Sequence, residues 1–172
     1  MNKESIIKII TFFIYILFQV LLFNKMVLWD KGFAFVYIGF LLTFQFELAV
    51  IPAMLIGFAM GISIDIFSNT LGMHASASVL IMYARPYLLS IFTPHGGYPL
   101  GASPKPSTMG FSWFSTYSIS LIFIHQTMLF LVEAGGFHLF FHTLQKIIIS
   151  TLYTFTVIII IQYLFSKKLD TR

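Results

Sequence analysis

The sequence predicts an all-α membrane protein, one bundle of six transmembrane helices, from three observations. Of its 172 residues, 58% are hydrophobic and 9% are charged, against about 25% charged in a soluble domain. The apolar residues fall into long runs with short polar breaks between them, and most runs approach the ~20 residues that a membrane-crossing helix needs. So much apolar surface cannot be hidden from water in a chain this short, so lipid must be its solvent. The length fits a single integral membrane domain over 1–172, with no room for a separate soluble one.

The first span covers 5–23, with Lys8 near its start and Lys3 just before it, both able to snorkel to headgroups. No small-residue cleavage site follows this run, so it reads as a retained span. A polar break over 24–31 carries Trp29, a candidate interface anchor. The second run, 32–46, has only 15 residues. It is short for a helix and fits either a crossing of thinned bilayer or a partly interfacial segment. After a tight turn at Glu47, the third span covers 48–67, with Pro52 in its first turns, where a missing amide donor costs least. The fourth covers 73–92 and contains Arg85-Pro86, which predicts that the deep helix ends or kinks there. Residues 93–110 hold four prolines and four glycines and predict an irregular loop. The fifth span is 112–132, and the sixth is 144–165.

The formal net charge is +4, and its distribution reads as topology rather than as a nucleic-acid footprint. Six spans put both termini on one side. That side holds Lys3, Lys8, Arg85, Lys105, Lys167, Lys168 and Arg172; the other holds Lys25, Lys31 and Lys146. The asymmetry places both termini in the cytoplasm. A five-span arrangement with 32–46 lying flat would split the termini and spoil it. The chain has no cysteine, which excludes disulfides, thiolate metal sites and a cysteine nucleophile.

The third span carries the most informative pattern. Ala53, Gly57, Gly61 and Asp65 recur every four residues, so they share one slowly drifting helix face with a carboxylate at its far end. Each glycine costs a helix about 1 kcal/mol relative to alanine, which suits a place where another backbone must come close. The groove serves either packing within the bundle or docking of a partner helix. Asp65 either satisfies nearby backbone donors at the helix end or makes an interhelical contact with amides opening the fourth span. An Asp65–Arg85 pair is not expected: in an antiparallel hairpin the two lie ~20 Å of helix apart in depth.

Gly72 and His74 open the fourth span, and Arg85 reads as a snorkelling topology anchor. His125 lies mid-span, where a hydrogen bond across helices is expected, with Glu133 two turns on as a polar anchor. His138 and His142 are spaced as HxxxH, but a metal site needs a third ligand. No nucleophile elbow, phosphate loop or paired catalytic carboxylates occur. The chain is therefore not expected to be an enzyme, or to need a cofactor or metal.

GFAMGISIDIFSNTLGMHA (57–75) resembles the glycine–aspartate–glycine signature of the rod shape-determining protein MreD family, and SVLIMYARPYLL (78–89) looks like that family's fourth span. The later YSISLIFIHQTMLFLVEA and LQKIIISTLYT also look like it. The specific part is Gly57, Gly61, Asp65, Gly72 and His74; the loop 93–110 departs from the pattern. The resemblance implies an inner-membrane bundle similar in fold to the substrate-binding subunits of energy-coupling-factor transporters. It implies no catalysis. It implies binding to MreC, within an elongation machinery that includes MreB, RodA and a penicillin-binding transpeptidase. The alternative is a substrate-binding membrane subunit of a vitamin-type transporter, which fold analogy alone supports.

Overall fold

A computed structural model describes residues 3–70, 72–136 and 140–165. The chain is mostly helical. Its elements are α1 (Lys3–Leu21), a short 3₁₀ turn (Phe23–Lys25), β1 (Val27–Leu28), β2 (Gly32–Phe33), α2 (Ile38–Leu42), α3 (Val50–Ser68), α4 (Met73–Ile91), α5 (Pro106–Met109), α6 (Phe111–Glu133) and α7 (Phe140–Leu164). Four helices, α1, α3, α6 and α7, are long and apolar enough to cross a membrane. Helix α4 matches α3 in length at 19 residues but carries more polar groups. Outward faces are apolar, with Phe13, Leu17, Ile51, Leu55, Ile66 and Leu152 all exposed.

α3 packs against α4, α4 against α6 and α6 against α7, while α1 leans on α3. Two ends can be distinguished. The hairpin end holds β1–β2, the end of α3, the start of α4, the end of α6 and the start of α7. The loop end holds the start of α1, residues 43–49, the 93–110 loop and the end of α7. Lys25, Lys31 and Lys146 gather at the hairpin end, where Lys31 binds Gln145 and Lys146 binds Glu133.

The second predicted span corrects the sequence reading: 32–46 is no membrane-length helix. β2 pairs antiparallel with β1, the chain runs on without regular structure to Tyr37, and only Ile38–Leu42 is helical. The segment nevertheless runs the length of the bundle. It is antiparallel to α1, since Gln19 meets Ala34 and Val36, Phe12 meets Phe40 and Lys8 meets Gln45. It runs parallel to α7, since Phe33 meets Ser150, Phe35 meets Thr154 and Gly39 lies against Ile158. Residues 34–42 are all buried.

A non-helical backbone buried this way needs donors and acceptors from elsewhere. Side chains supply them. Ser150 Oγ accepts from the Phe33 amide at 3.0 Å and Thr154 Oγ1 from the Phe35 amide at 3.0 Å. Gln19 Oε1 accepts from the Val36 amide at 2.7 Å, and its Nε2 donates to the Ala34 carbonyl. Thr154→Val therefore removes a partner from a buried amide, and it is expected to cost about 1–3 kcal/mol. Thr151, three residues earlier, has a buried hydroxyl with no partner. Thr151→Val should be neutral or slightly stabilising. Thermal unfolding in detergent checks the contrast between these two substitutions on one helix.

The other helices run close to their predicted bounds. Helix α4 departs in one respect, continuing through Pro86 to Ile91 where an end or kink was expected. The 93–110 loop is irregular apart from the single turn α5, and it docks on the bundle. Tyr98 stacks on Phe46 at 4.1 Å, and the Phe46 amide donates to the Ala102 carbonyl. Of the HxxxH pair, His138 lies outside the described residues and His142 is exposed.

Candidate functional site

Gly57, Gly61, Asp65, Gly72 and His74 meet at one joint between α3 and α4. Helix α3 buries Ala53, Gly57, Gly61 and Asp65 on one face, and α4 fills the groove they make. A Cβ on Gly57 would lie 2.8 Å from the Ser78 carbonyl oxygen. A Cβ on Gly61 would fall on the Cα of Ala75 and 2.6 Å from its amide nitrogen. The small-residue seam is thus occupied by the chain's own next helix and leaves no room there for another.

Asp65 closes the joint. Its Oδ1 accepts from the His74 amide at 3.1 Å and the Thr70 hydroxyl at 2.6 Å, and its Oδ2 accepts from the Ala75 amide at 2.9 Å. The two amides are orphan donors of the first turn of α4, at the positive end of that helix's dipole. A buried carboxylate is tolerable because each oxygen has a donor. Gly72 precedes that turn with φ +77, in a region that disfavours side chains.

His74 donates its amide to Asp65 and turns its ring inward. Tyr37 Oη lies 3.0 Å from His74 Nδ1 and 2.7 Å from His125 Nε2. One hydroxyl proton serves one of these bonds, so a histidine N–H must supply the other. His125 Nδ1 is buried without a partner. The arrangement that avoids a buried orphan N–H has His125 Nε2–H donating to Tyr37, and Tyr37 O–H donating to His74 Nδ1. His74 then carries its own proton on Nε2. His125 does bond across the bundle, to the irregular segment rather than to a helix.

Arg85 corrects a second expectation, because it does not snorkel. It is 1% exposed. Its Nη2 donates to the carbonyls of Phe44 and Gln45 at 2.7 and 3.0 Å, and its Nε donates to Tyr117 Oη at 3.1 Å. The guanidinium takes up carbonyls where the chain leaves α2, and Asp65 is not among its partners. Glu133 stands at the end of α6 with Lys146 Nζ 3.1 Å away. Lys146 also sits 5.6 Å and 5.4 Å from the ring centres of Phe33 and Phe130.

Sequence reasoning missed Tyr37, Gln19, Ser150 and Thr154. Phe33, Ala34, Phe35, Val36 and Tyr37 are all apolar, and periodicity does not separate strand from helix in so short an apolar run. Among the described residues no group of three His, Cys, Asp or Glu side chains is placed to hold a metal. No protein-family model, curated protein or solved structure matches this chain.

Proposed function

We propose that this chain is a non-catalytic inner-membrane subunit of the cell-elongation machinery that binds MreC and supports rod shape and lateral peptidoglycan synthesis. RodA, a penicillin-binding transpeptidase and MreB complete the larger assembly. In this reading the chain crosses the bilayer six times, five times as helix and once as segment 32–46, with both termini cytoplasmic. Its fold is then of the kind seen in substrate-binding subunits of energy-coupling-factor transporters. Buried Arg85 drops out of the positive-inside count, and the remaining basic residues still favour this orientation.

The observation that carries the reading is a division between two faces of the α3–α4 pair. Gly57, Gly61, Asp65 and His74 are committed to the inner joint. The outer side is a shallow groove of about 520 Å³, lined by Met54, Phe58, Ile62, Ala75, Ser76 and Val79. Small residues beside bulky apolar ones let a partner's single transmembrane helix approach closely. MreC is expected to co-purify with the wild-type chain from membranes. Ser76→Trp or Val79→Trp should reduce its recovery at least tenfold without unfolding the bundle. Failure of the wild type to retain MreC would refute the function; full retention by both variants would refute the groove.

One observation favours the transporter alternative, a pocket with polar lining at the hairpin end. That reading requires association with a pair of ATPases, and the same purification checks for them.

A further inference from the structure

Between the hairpin, the α3–α4 turn and the end of α6 lies an open pocket of about 440 Å³, within the size range of small-molecule sites. Phe33, Phe35, Phe67 and Phe130 supply apolar walls. Most of its polar lining is already engaged. Asn24 donates to Ser68 and accepts from Gln19, and Thr70 donates to Asp65. Glu133 holds Lys146, whose ammonium also faces Phe33 and Phe130. The one corner suited to a cation, a carboxylate beside two aromatic rings, is therefore filled by the chain's own ammonium.

Among the lining donors without a protein partner in the described residues, Lys25 Nζ is the cationic one and His74 Nε2 the buried one. His74 is 5% exposed, and its Nδ1 is occupied by Tyr37. Its remaining N–H is thus held in place at the pocket by a buried chain that reaches His125. Helices α1, α3 and α6 all end near this pocket, and their C-terminal dipoles disfavour an anion, while the opposing N-terminal dipole of α4 at Met73 and His74 is already met by Asp65. The ammonium must outweigh them, which makes Lys25 decisive.

We infer that this pocket binds an anionic group, a carboxylate or phosphate oxyanion, on a molecule whose apolar body lies among the phenylalanine rings. The oxyanion accepts from Lys25 Nζ and His74 Nε2. The site stands whichever of the two functions above holds. Its ligand is either a soluble aryl carboxylate or the headgroup of an anionic phospholipid.

Full-length protein in phosphatidylcholine nanodiscs is titrated calorimetrically with 3-phenylpropionate. In parallel, native mass spectrometry measures retention of phosphatidylglycerol against phosphatidylcholine. Lys25 is exposed, so Lys25→Gln should fold normally. It is expected to weaken binding at least tenfold, while Lys25→Arg retains it and Lys105→Gln, at the opposite end, leaves it unchanged. In the wild type, the ¹⁵N resonance of His74 Nε2 should shift on saturation. Saturable binding of 3-phenylpropionate with this pattern identifies a soluble carboxylate. Selective retention of phosphatidylglycerol with the same pattern identifies a lipid headgroup. Binding of neither probe, or binding that Lys25→Gln leaves intact, overturns the inference.

Discussion

Gly61→Leu is expected to abolish folding of the bundle, and Gly61→Ala alone to lower its melting temperature by about 5 °C. The added Cβ meets the backbone of α4 at Ala75, and backbone cannot rotate out of the way. Overpacking a tight contact costs about 1–3 kcal/mol, occasionally more. The better helix propensity of alanine returns about 1 kcal/mol of that, so leucine is far worse than alanine. Gly57→Ala should cost less. One of its two closest contacts is Met82 Cγ at 2.9 Å, and a methionine side chain can shift. Gly96 has open space around its would-be Cβ, and Gly96→Ala should change nothing. Circular dichroism melts in detergent, with size-exclusion profiles, separate these outcomes. An unaltered melt for Gly61→Ala would show that α4 does not seat where the geometry puts it.

Arg85→Met is the second large effect, at roughly 3–5 kcal/mol. It strips donors from the Phe44 and Gln45 carbonyls and from Tyr117 Oη, all in surroundings that water reaches poorly. Arg85→Lys should recover less than half of that, because a single ammonium cannot reproduce the planar fork that meets three acceptors. The damage should spread. Phe46 carries the stacked Tyr98 and donates its amide to the Ala102 carbonyl of the docked loop, so loosening 43–46 releases 93–110. Faster proteolysis within that loop, together with faster amide exchange over residues 42–48, is the expected signature. A melt that falls without either change would place the role of Arg85 elsewhere.

The legible and illegible parts of this chain differ for physical reasons. Long apolar runs announce α1, α3, α6 and α7 because lipid demands about 20 apolar residues whatever the tertiary context. The four-residue spacing of Ala53, Gly57, Gly61 and Asp65 announced a close approach, because glycine in a helix is costly without one. Which helix would approach was not in that spacing, and the answer is α4. Segment 32–46 was misjudged because hydropathy treats any apolar run as helix. Its extended form depends on hydroxyls more than a hundred positions away, at Ser150 and Thr154. No local pattern carries such a contact. Arg85 was misplaced for the same reason: an arginine near a proline looks like a boundary until carbonyls from another segment are found around it. The hairpin-end pocket likewise gathers Lys25, His74 and Glu133 from three distant stretches.

Site-specific photocrosslinking in living cells tests most directly the proposal that the outer side of the α3–α4 pair receives MreC. A photoreactive residue is placed at Val79 or Tyr83 in the groove, and a control at Ile160 on the exposed side of α7. A crosslink to MreC is expected from Val79 and Tyr83 and none from Ile160. Crosslinks to MreC from Ile160 alone, or from none of the three, would contradict it.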